Sequence, residues 1–176
     1  MPARLFALLL VALSLLAHGP ARALAPSALP PGVTAGPAVE GVRAYALRNG
    51  LRFLLVPDAT SSTVTVHITY RVGSVHEGAG EAGMAHLLEH MLFKGTARHP
   101  RFDEEMDRRG GDANAETETE FTRYYETFAA SPEHLRFGLD LEADRMTNVR
   151  LRRADLDKEL TVARNELEIG ENDPRG

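Results

Sequence analysis

The alternation of apolar and polar residues predicts β-strands in the first half of the chain. Residues 63–72 place Val, Ile and Tyr at every second position and Thr, His and Arg between them, which is typical of a strand with one buried face. Residues 44–48 and 51–56 flank Asn49-Gly50, a hairpin signal in which both turn residues are expected at positive φ. Further strands rich in Thr, Tyr and Phe are predicted at residues 112–118 and 121–128.

Helical spacing predominates in the rest of the chain. A helix is predicted over residues 80–94, where Gly95 follows at a capping position, and Ser131-Pro132 has the form of an N-cap followed by proline at the first helical position. The apolar stripe of the first of these helices consists of Met84, Leu87, Leu88 and Met91. The other helices are expected between Pro100 and Gly110, from Ser131 to about Met146, and over residues 151–169. Three strands, two helices, two strands and two helices predict an α+β fold, with an antiparallel sheet and helices packed on one side.

The N-terminus has the features of a secretory signal peptide over residues 1–25. Arg4 precedes an apolar run at residues 5–17 that is too short to span a membrane, so no stable membrane span is expected. Small residues offer cleavage after Ala23 or Ala25, and the first is favoured because Pro26 would follow the second cut. The expected location is the periplasm, with a Pro/Gly-rich linker at residues 26–40 and one domain at residues 41–176.

Composition narrows the chemistry that this chain can perform. The 176 residues suit about one domain, and 43% hydrophobic with 26% charged residues is an ordinary globular composition. A net charge of −5 argues against a nucleic-acid partner, which would require a concentrated basic face. The absence of cysteine excludes disulfides, thiolate metal sites and a cysteine nucleophile. Any metal ion must therefore be bound by His, Asp or Glu.

The segment His86-Leu87-Leu88-Glu89-His90 contains the residues to which a reaction can be assigned. Residues four apart on a helix lie within about 40° of each other, so His86 and His90 can bind one metal ion, while Glu89 can act as a general base on a water. This H-x-x-E-H order is the inverzincin signature. Zinc suits His and carboxylate ligands, and a catalytic zinc takes three protein ligands, so one further carboxylate is expected. A solvated His pair in a polar helix is the alternative.

Spacing alone leaves the third ligand open. Glu159 and Glu166 lie on one stripe of the last predicted helix with Val162 and Ala163 between them. They are either functional carboxylates or part of a solvated acidic face. The remaining histidines of the mature chain are expected to be solvated or locally hydrogen-bonded: His67, His76, His99 and His134.

Several segments together resemble the pitrilysin/insulinase family of zinc peptidases, in the bacterial branch that is similar to mitochondrial processing peptidase. The strongest is the run at residues 83–96, which contains the H-x-x-E-H segment. Further segments carry the same resemblance. They are residues 47–51, residues 71–74, residues 110–115 together with Thr117 and Tyr124-Tyr125, residues 142–146, and the last predicted helix through Asn172-Asp173-Pro174. The resemblance is nearly continuous from about residue 42 to residue 176.

This resemblance implies roles for individual residues. The third ligand of one zinc ion would be Glu166, which follows His90 by 76 residues, and Glu159 would support the site from behind the ligands. The substrate would be a peptide held in extended form against the strand at residues 112–118, next to Asn114 and Ala115.

Subunits of that family are longer than this chain and contain two related halves. The chain is therefore interpreted as an incomplete N-terminal half of a pitrilysin-type metallopeptidase, whose partner would be a second peptidase half or a partner subunit. Three functions stay open: a zinc metallopeptidase acting on unfolded or short peptides, a zinc-binding subunit without catalysis, and a secreted binding module without metal. An intact Glu89 favours the first, because a merely structural zinc site needs no base.

Export is expected to remove residues 1–23, because the apolar run ends at small-residue cleavage sites. N-terminal sequencing of the protein from a periplasmic fraction should begin at Leu24, or at Pro26 if the second site is used. A chain that keeps Met1 and stays in the cytoplasm would contradict the assignment.

Overall fold

The computed structural model describes residues 29–171, with side chains to Ile169. The chain divides into two compact units, one ending at Asp58 and the other beginning at Ala59, so the division falls inside the segment 41–176 that was predicted as one domain. The predicted signal peptide and residues 172–174 lie outside the described residues. Within residues 29–171, no helix has both the length and the apolar character needed to cross a bilayer.

In the part of the first unit that is described, residues 29–58, the chain forms a three-stranded antiparallel sheet. Its strands are β1 (Val33–Val39), β2 (Val42–Leu47) and β3 (Arg52–Leu55), and they lie in that order. The prediction of a linker at residues 26–40 is thus wrong from Val33 onward. Gly36 and Pro37 suggested a linker, but the edge position of β1 and a register shift between Ala35 and Ala38 accommodate them in a strand.

The hairpin at Asn49-Gly50 is confirmed, but its turn differs from the expected one. Gly50 has a φ of +91°, whereas Asn49 is not among the residues with positive φ. Four residues separate β2 from β3, and the Asn49 Oδ1 accepts a hydrogen bond of 3.1 Å from the Leu51 N–H. The tight two-residue turn with positive φ at both positions lies instead at Glu40-Gly41, between β1 and β2.

Over its described residues, 59–171, the second unit contains an antiparallel sheet and four α-helices. The sheet has the order β4, β6, β5, so β6 is central and β5 lies at an edge. The strands are β4 (Thr63–Tyr70), β5 (Asp112–Thr117) and β6 (Thr122–Ala129). The helices are α1 (Met84–Leu92), α2 (Phe102–Asp107), α3 (Pro132–Asn148) and α4 (Arg153–Glu171), and a 3₁₀ turn occupies Ser74–His76. The α+β class is confirmed, with the strands divided between two sheets.

The buried face of the second sheet carries the core. Along β4 the expected alternation holds, with Val66 buried and His67 exposed, but the strand ends at Tyr70 and Val72 is exposed. Phe128 of β6 lies at the centre of the core, and Gly138 lets α3 approach β4 so closely that a Cβ there would lie 2.8 Å from the Val66 side chain. The core cluster consists of Phe102, Met106, Phe128, Phe137 and Leu141. Its members come from α2, α3 and β6, so both helices pack on this face.

A buried charge cluster joins α3 to the central strand. The Arg145 guanidinium donates to the carboxylates of Glu126 on β6 and Glu142 on α3, and all three side chains are almost fully buried. Burial together with the neighbouring Glu142 raises the pKa of Glu126 to about 9, against the opposing effect of Arg145. Burial, reinforced by the charge of Glu142, also raises the pKa of Tyr70 to about 12. At neutral pH Glu126 therefore keeps its proton in the folded protein.

The folded protein should lose stability as the pH rises through this range. Glu126 keeps its proton when folded but releases it above about pH 4.5 when unfolded, so the free energy of unfolding should fall as the pH rises from about 5 to about 9. Glu126→Gln should remove this contribution, because the amide retains the shape of the protonated carboxyl group without titrating. Urea unfolding at several pH values measures the difference from wild type.

The exposed Glu133 of α3 provides the matched control, and Glu133→Gln should leave the pH dependence as in wild type. A Glu126→Gln variant with the same pH dependence as wild type would show that Glu126 is not the group responsible.

Candidate metal centre

The first turn of α1 is held by a carboxylate that precedes it in the chain. Glu77 accepts hydrogen bonds from the backbone N–H groups of Gly83 and Ala85, at 2.9 and 2.8 Å. These two bonds lower the pKa of Glu77 below its ordinary value. Gly83 is the N-cap residue and has a φ of +84°, a conformation that favours glycine. The helix therefore begins at Met84, not at residue 80 as the sequence predicted, since the preceding residues form the loop that brings Glu77 back to the helix end.

His86 and His90 project from the same face of α1. Their Nε2 atoms lie 3.1 Å apart and their rings meet edge to face, with centroids at 4.6 Å. The buried Leu87 and Met91 anchor the adjacent face of α1, about 100° round the helix from the histidines. Two residues of the predicted apolar stripe, Met84 and Leu88, are instead exposed, because they do not lie on the face that packs into the protein.

Glu166 of α4 completes a group of three ligand atoms. Its Oε2 lies 3.4 Å from the Nε2 of His86 and 3.4 Å from the Nε2 of His90. One ligand atom from each of His86, His90 and Glu166 therefore lies within 4.8 Å of the other two. Zinc bound tetrahedrally to nitrogen and oxygen separates its ligand atoms by about 3.3–3.5 Å. The two 3.4 Å sides of the triangle fall in this range and the 3.1 Å side is slightly shorter, so the three atoms are close to the spacing that a single zinc ion requires.

The protonation of His90 also fits a metal ion. Its Nδ1 lies 2.9 Å from the Oε2 of Glu159, an acceptor, which assigns the ring proton of neutral His90 to Nδ1. Its Nε2 then presents a lone pair toward the Nε2 of His86 and the carboxylate of Glu166. A cation at the point where this lone pair, the Nε2 of His86 and the Glu166 carboxylate converge would be bound by two imidazoles and one carboxylate, a donor set that suits zinc.

Glu159 is fixed from two sides behind His90. Its Oε1 lies 2.7 Å from the Lys94 Nζ, while its Oε2 accepts from His90, so one carboxylate joins α1 to α4. Burial alone would raise the pKa of Glu159, but the hydrogen bonds from Lys94 and His90 outweigh burial and lower this pKa below its ordinary value. An ionised Glu159 holds the His90 ring in one orientation and increases its basicity as a ligand.

Glu89 occupies a different environment from the three ligand residues. It is buried on α1, and its Oε2 accepts a hydrogen bond of 2.6 Å from the Thr117 hydroxyl on β5. Glu89 is absent from the group of converging ligand atoms, as expected for a base beside a metal. The structure thus separates the carboxylate of Glu89 from that of Glu166.

The predicted substrate strand is β5, which lies at the edge of its sheet. Asn114 is exposed there, and its Oδ1 accepts a hydrogen bond of 2.8 Å from the backbone N–H of its neighbour Ala115. The side chain of Asn114 thus covers a donor that an added strand would use. Both residues lie on the strand whose Thr117 contacts Glu89.

The other described histidines contact groups away from the metal centre. His76 accepts from the Gly73 N–H at 3.1 Å, and the Nδ1 of His134 lies 2.8 Å from the Ala129 carbonyl oxygen. His67 is exposed beside Tyr125. These positions agree with the expectation of solvated or locally bonded rings. His99 differs, since it is buried between the carboxylates of Glu105 on α2 and Asp140 on α3.

Sequence reasoning assigned no individual role to Lys94, Glu77 and Thr117, although each contacts the site. Lys94 follows His90 by four residues, so helical spacing places it on the same face and could have suggested a role. Nothing local identifies Glu77 as the cap of α1, because its bonds span six and eight residues of loop. The contact of Thr117 with Glu89 joins residues 28 positions apart and depends on how β5 and α1 pack.

The site and the fold together define a class of protein. Two histidines and a glutamate with spacing close to that of zinc ligands form a candidate zinc centre, with a carboxylate behind one histidine and a separate buried glutamate nearby. Comparison with known proteins specifies the family. A profile described as Insulinase (Peptidase family M16) matches residues 52–175, and the chain belongs to this family.

Individual relatives agree with this assignment. The chain is 34% identical over 135 residues to the uncharacterized zinc protease YmxG of Bacillus subtilis, covering 76% of this chain and 32% of that protein. A crystal structure of a Helicobacter pylori protease matches with a TM-score of 0.62 and 34% identity, covering 69% of this chain and 29% of that one. The crystal structure of pitrilysin matches with a TM-score of 0.66 and 28% identity, covering 73% of this chain and 14% of that one. The chain thus spans about a third or less of these relatives.

The purified chain should bind about one zinc ion per molecule through His86, His90 and Glu166. Titration with zinc against a competing chelator measures the affinity. His86→Ala, His90→Ala and Glu166→Gln should each weaken binding more strongly than Glu159→Gln, for which a loss of about 10–100-fold is expected because it only supports a ligand.

His67→Ala is the matched control, because this exposed histidine lies on the polar face of β4 and should leave zinc binding unchanged. Equal affinity in wild type, His86→Ala and His90→Ala would contradict the site.

Proposed function

We propose that this chain carries the catalytic metal centre of a zinc-dependent metallopeptidase that hydrolyses peptide bonds. The convergence of His86, His90 and Glu166 within zinc-ligand distances is the single observation that carries this proposal. The names of the relatives, which include zinc proteases and insulin-degrading enzyme, support it. Since the chain spans only part of those relatives, the activity of the whole protein belongs to the proposal as well.

The zinc ion would polarise the scissile carbonyl and lower the pKa of a water to about 7. Glu89 is the general base: its carboxylate takes a proton as the water oxygen attacks the carbonyl carbon. The same group then gives that proton to the amide nitrogen as the C–N bond breaks, so a free amine leaves and a carboxylic acid remains, which releases its proton to solvent at neutral pH. Burial of Glu89 beside Thr117 keeps its carboxylate in one place during both transfers.

We assign the edge of β5 as the position of the substrate backbone. An extended peptide could add as a further strand there, since main-chain hydrogen bonds hold many different sequences. Asn114 would have to turn away from the Ala115 N–H to let a peptide accept from that donor. This mode requires an extended chain, which favours short or unfolded peptides over folded proteins.

The cellular setting belongs to the same proposal. The N-terminal sequence favours export to the periplasm, and the length of the relatives favours a second peptidase half or a partner subunit beside this chain. Zinc binding requires only residues of this chain, whereas efficient peptide cleavage is expected to require the additional part.

Glu89→Gln separates catalysis from metal binding. In a protein that continues through the length of its relatives, this variant should retain zinc and lose peptidase activity by about 10²–10⁴-fold, since glutamine cannot accept the proton. Zinc content by mass spectrometry and cleavage of fluorescence-quenched peptides measure the two properties.

The exposed Glu104 on α2 offers a matched control, and Glu104→Gln should leave both properties as in wild type. Wild-type activity in Glu89→Gln would exclude Glu89 as the base. Full activity without zinc would exclude the metal mechanism.

A further inference from the structure

The hydroxyl of Thr117 is the hydrogen-bond donor that the structure gives to the Glu89 carboxylate. Thr117 Oγ1 lies 2.6 Å from the Oε2 of Glu89, a short distance typical of a hydroxyl bonded to an ionised carboxylate. Among residues 29–171, no hydrogen bond to the Oε1 of Glu89 is found. The two oxygens of one carboxylate therefore differ, one bonded to the protein and the other left for a water.

The hydroxyl protons of Thr117 and Thr122 determine which group donates in the contact between Thr117 and Glu89. The hydroxyl of Thr122, on the neighbouring strand β6, lies 3.4 Å from that of Thr117 and donates to the Val72 carbonyl oxygen at 2.9 Å. Each hydroxyl has one proton, and the proton of Thr122 is used by this carbonyl. Thr117 is thus left to donate to Glu89, and Thr122 fills the space behind it.

The position of Thr117 is set by strand pairing. Thr117 pairs directly with Thr122 at the end of β5, so its side chain lies on the face of the sheet that α1 covers. Ala115 and Ala113 share this face two and four residues earlier. Their small side chains leave Thr117 as the polar group that β5 presents on this face.

We propose that Thr117 is a positioning residue for peptide hydrolysis. It holds one oxygen of Glu89 so that the other faces the attacking water, and it ties the base to the strand on which Asn114 and Ala115 are assigned to the substrate. This inference rests on the proposed function of Glu89 as general base. It adds that the orientation of the base is set by β5 in addition to α1, the helix that carries it.

The test uses the zinc-loaded protein extended through the length of its relatives. Thr117→Val removes the hydroxyl while keeping the shape, and should lower kcat by about 10–100-fold with KM unchanged, as expected for losing a hydrogen bond to a charged group. Thr117→Ala should give the same loss of kcat. It shows whether the loss in Thr117→Val comes from the missing hydroxyl or from a folding defect specific to valine. Thr117→Ser retains the hydroxyl and should recover most of kcat.

Two further measurements distinguish positioning from a structural role. Zinc affinity, measured by chelator competition, should be the same in Thr117→Val and wild type, because Thr117 contacts none of the ligand residues. Crystal structures of the zinc-loaded proteins should show one orientation of the Glu89 carboxylate in wild type and Thr117→Ser, and a rotated or divided one in Thr117→Val. Thr65→Val removes a threonine pair on the opposite face of the sheet and should change neither kcat nor the orientation of Glu89.

The outcomes separate this inference from the proposed function. If Glu89→Gln abolishes activity while Thr117→Val and Thr117→Ala match wild type, Glu89 is the base and Thr117 does not position it. If Glu89→Gln retains activity, the proposed function itself is wrong. In the Glu89→Gln background Thr117→Val should cause no additional loss, and an additional loss equal to that in wild type would overturn the positioning role.

Discussion

The contact between His90 and Glu159 is the interaction on which the metal centre depends. It joins α1 to α4, which are 69 residues apart at this point, and it assigns the proton of His90 to the nitrogen that faces away from the metal position. Lys94 stabilises Glu159 in its charged form by a contact on the other oxygen. Because Glu159 is held in this way, α4 is placed so that Glu166, two turns further along the same face of the helix, reaches both histidines.

Three carboxylates of the second unit have different surroundings and therefore different properties. Glu126 shares a buried cluster with Glu142 and Arg145, where burial raises its pKa. Glu159 is also little exposed, but its cationic partners lower its pKa. Glu89 accepts from a neutral hydroxyl. Carboxylates thus differ according to the partners that the fold supplies. Glu126 is a protonated group in the core, Glu159 supports a metal ligand, and Glu89 is the candidate base.

Secondary structure followed the local pattern where one face of an element is buried. The alternation of β4 and the N-cap at Ser131, whose hydroxyl accepts from the His134 N–H at 3.0 Å, were both predictable, since each depends on residues within a few positions. Strand β1 was missed because Gly36 and Pro37 are poor strand formers. Their cost is small at a sheet edge with a bulge, and the existence of that edge is a property of the assembled sheet.

The site shows the same division between local and long-range information. The sequence by itself determined the chemistry: the absence of cysteine limits the ligands to His, Asp and Glu, and helical spacing puts His86 and His90 on one face. It left open whether Glu159 and Glu166 form a solvated surface or contribute to a site, because spacing within one helix does not report what the helix faces. The tertiary structure decided this by packing α4 against α1, which placed Glu166 at the histidines and Glu159 behind one of them. It also decided the partner of Glu89, since a hydrogen bond between a helix and a strand 28 residues later depends on packing geometry, which local sequence patterns do not encode.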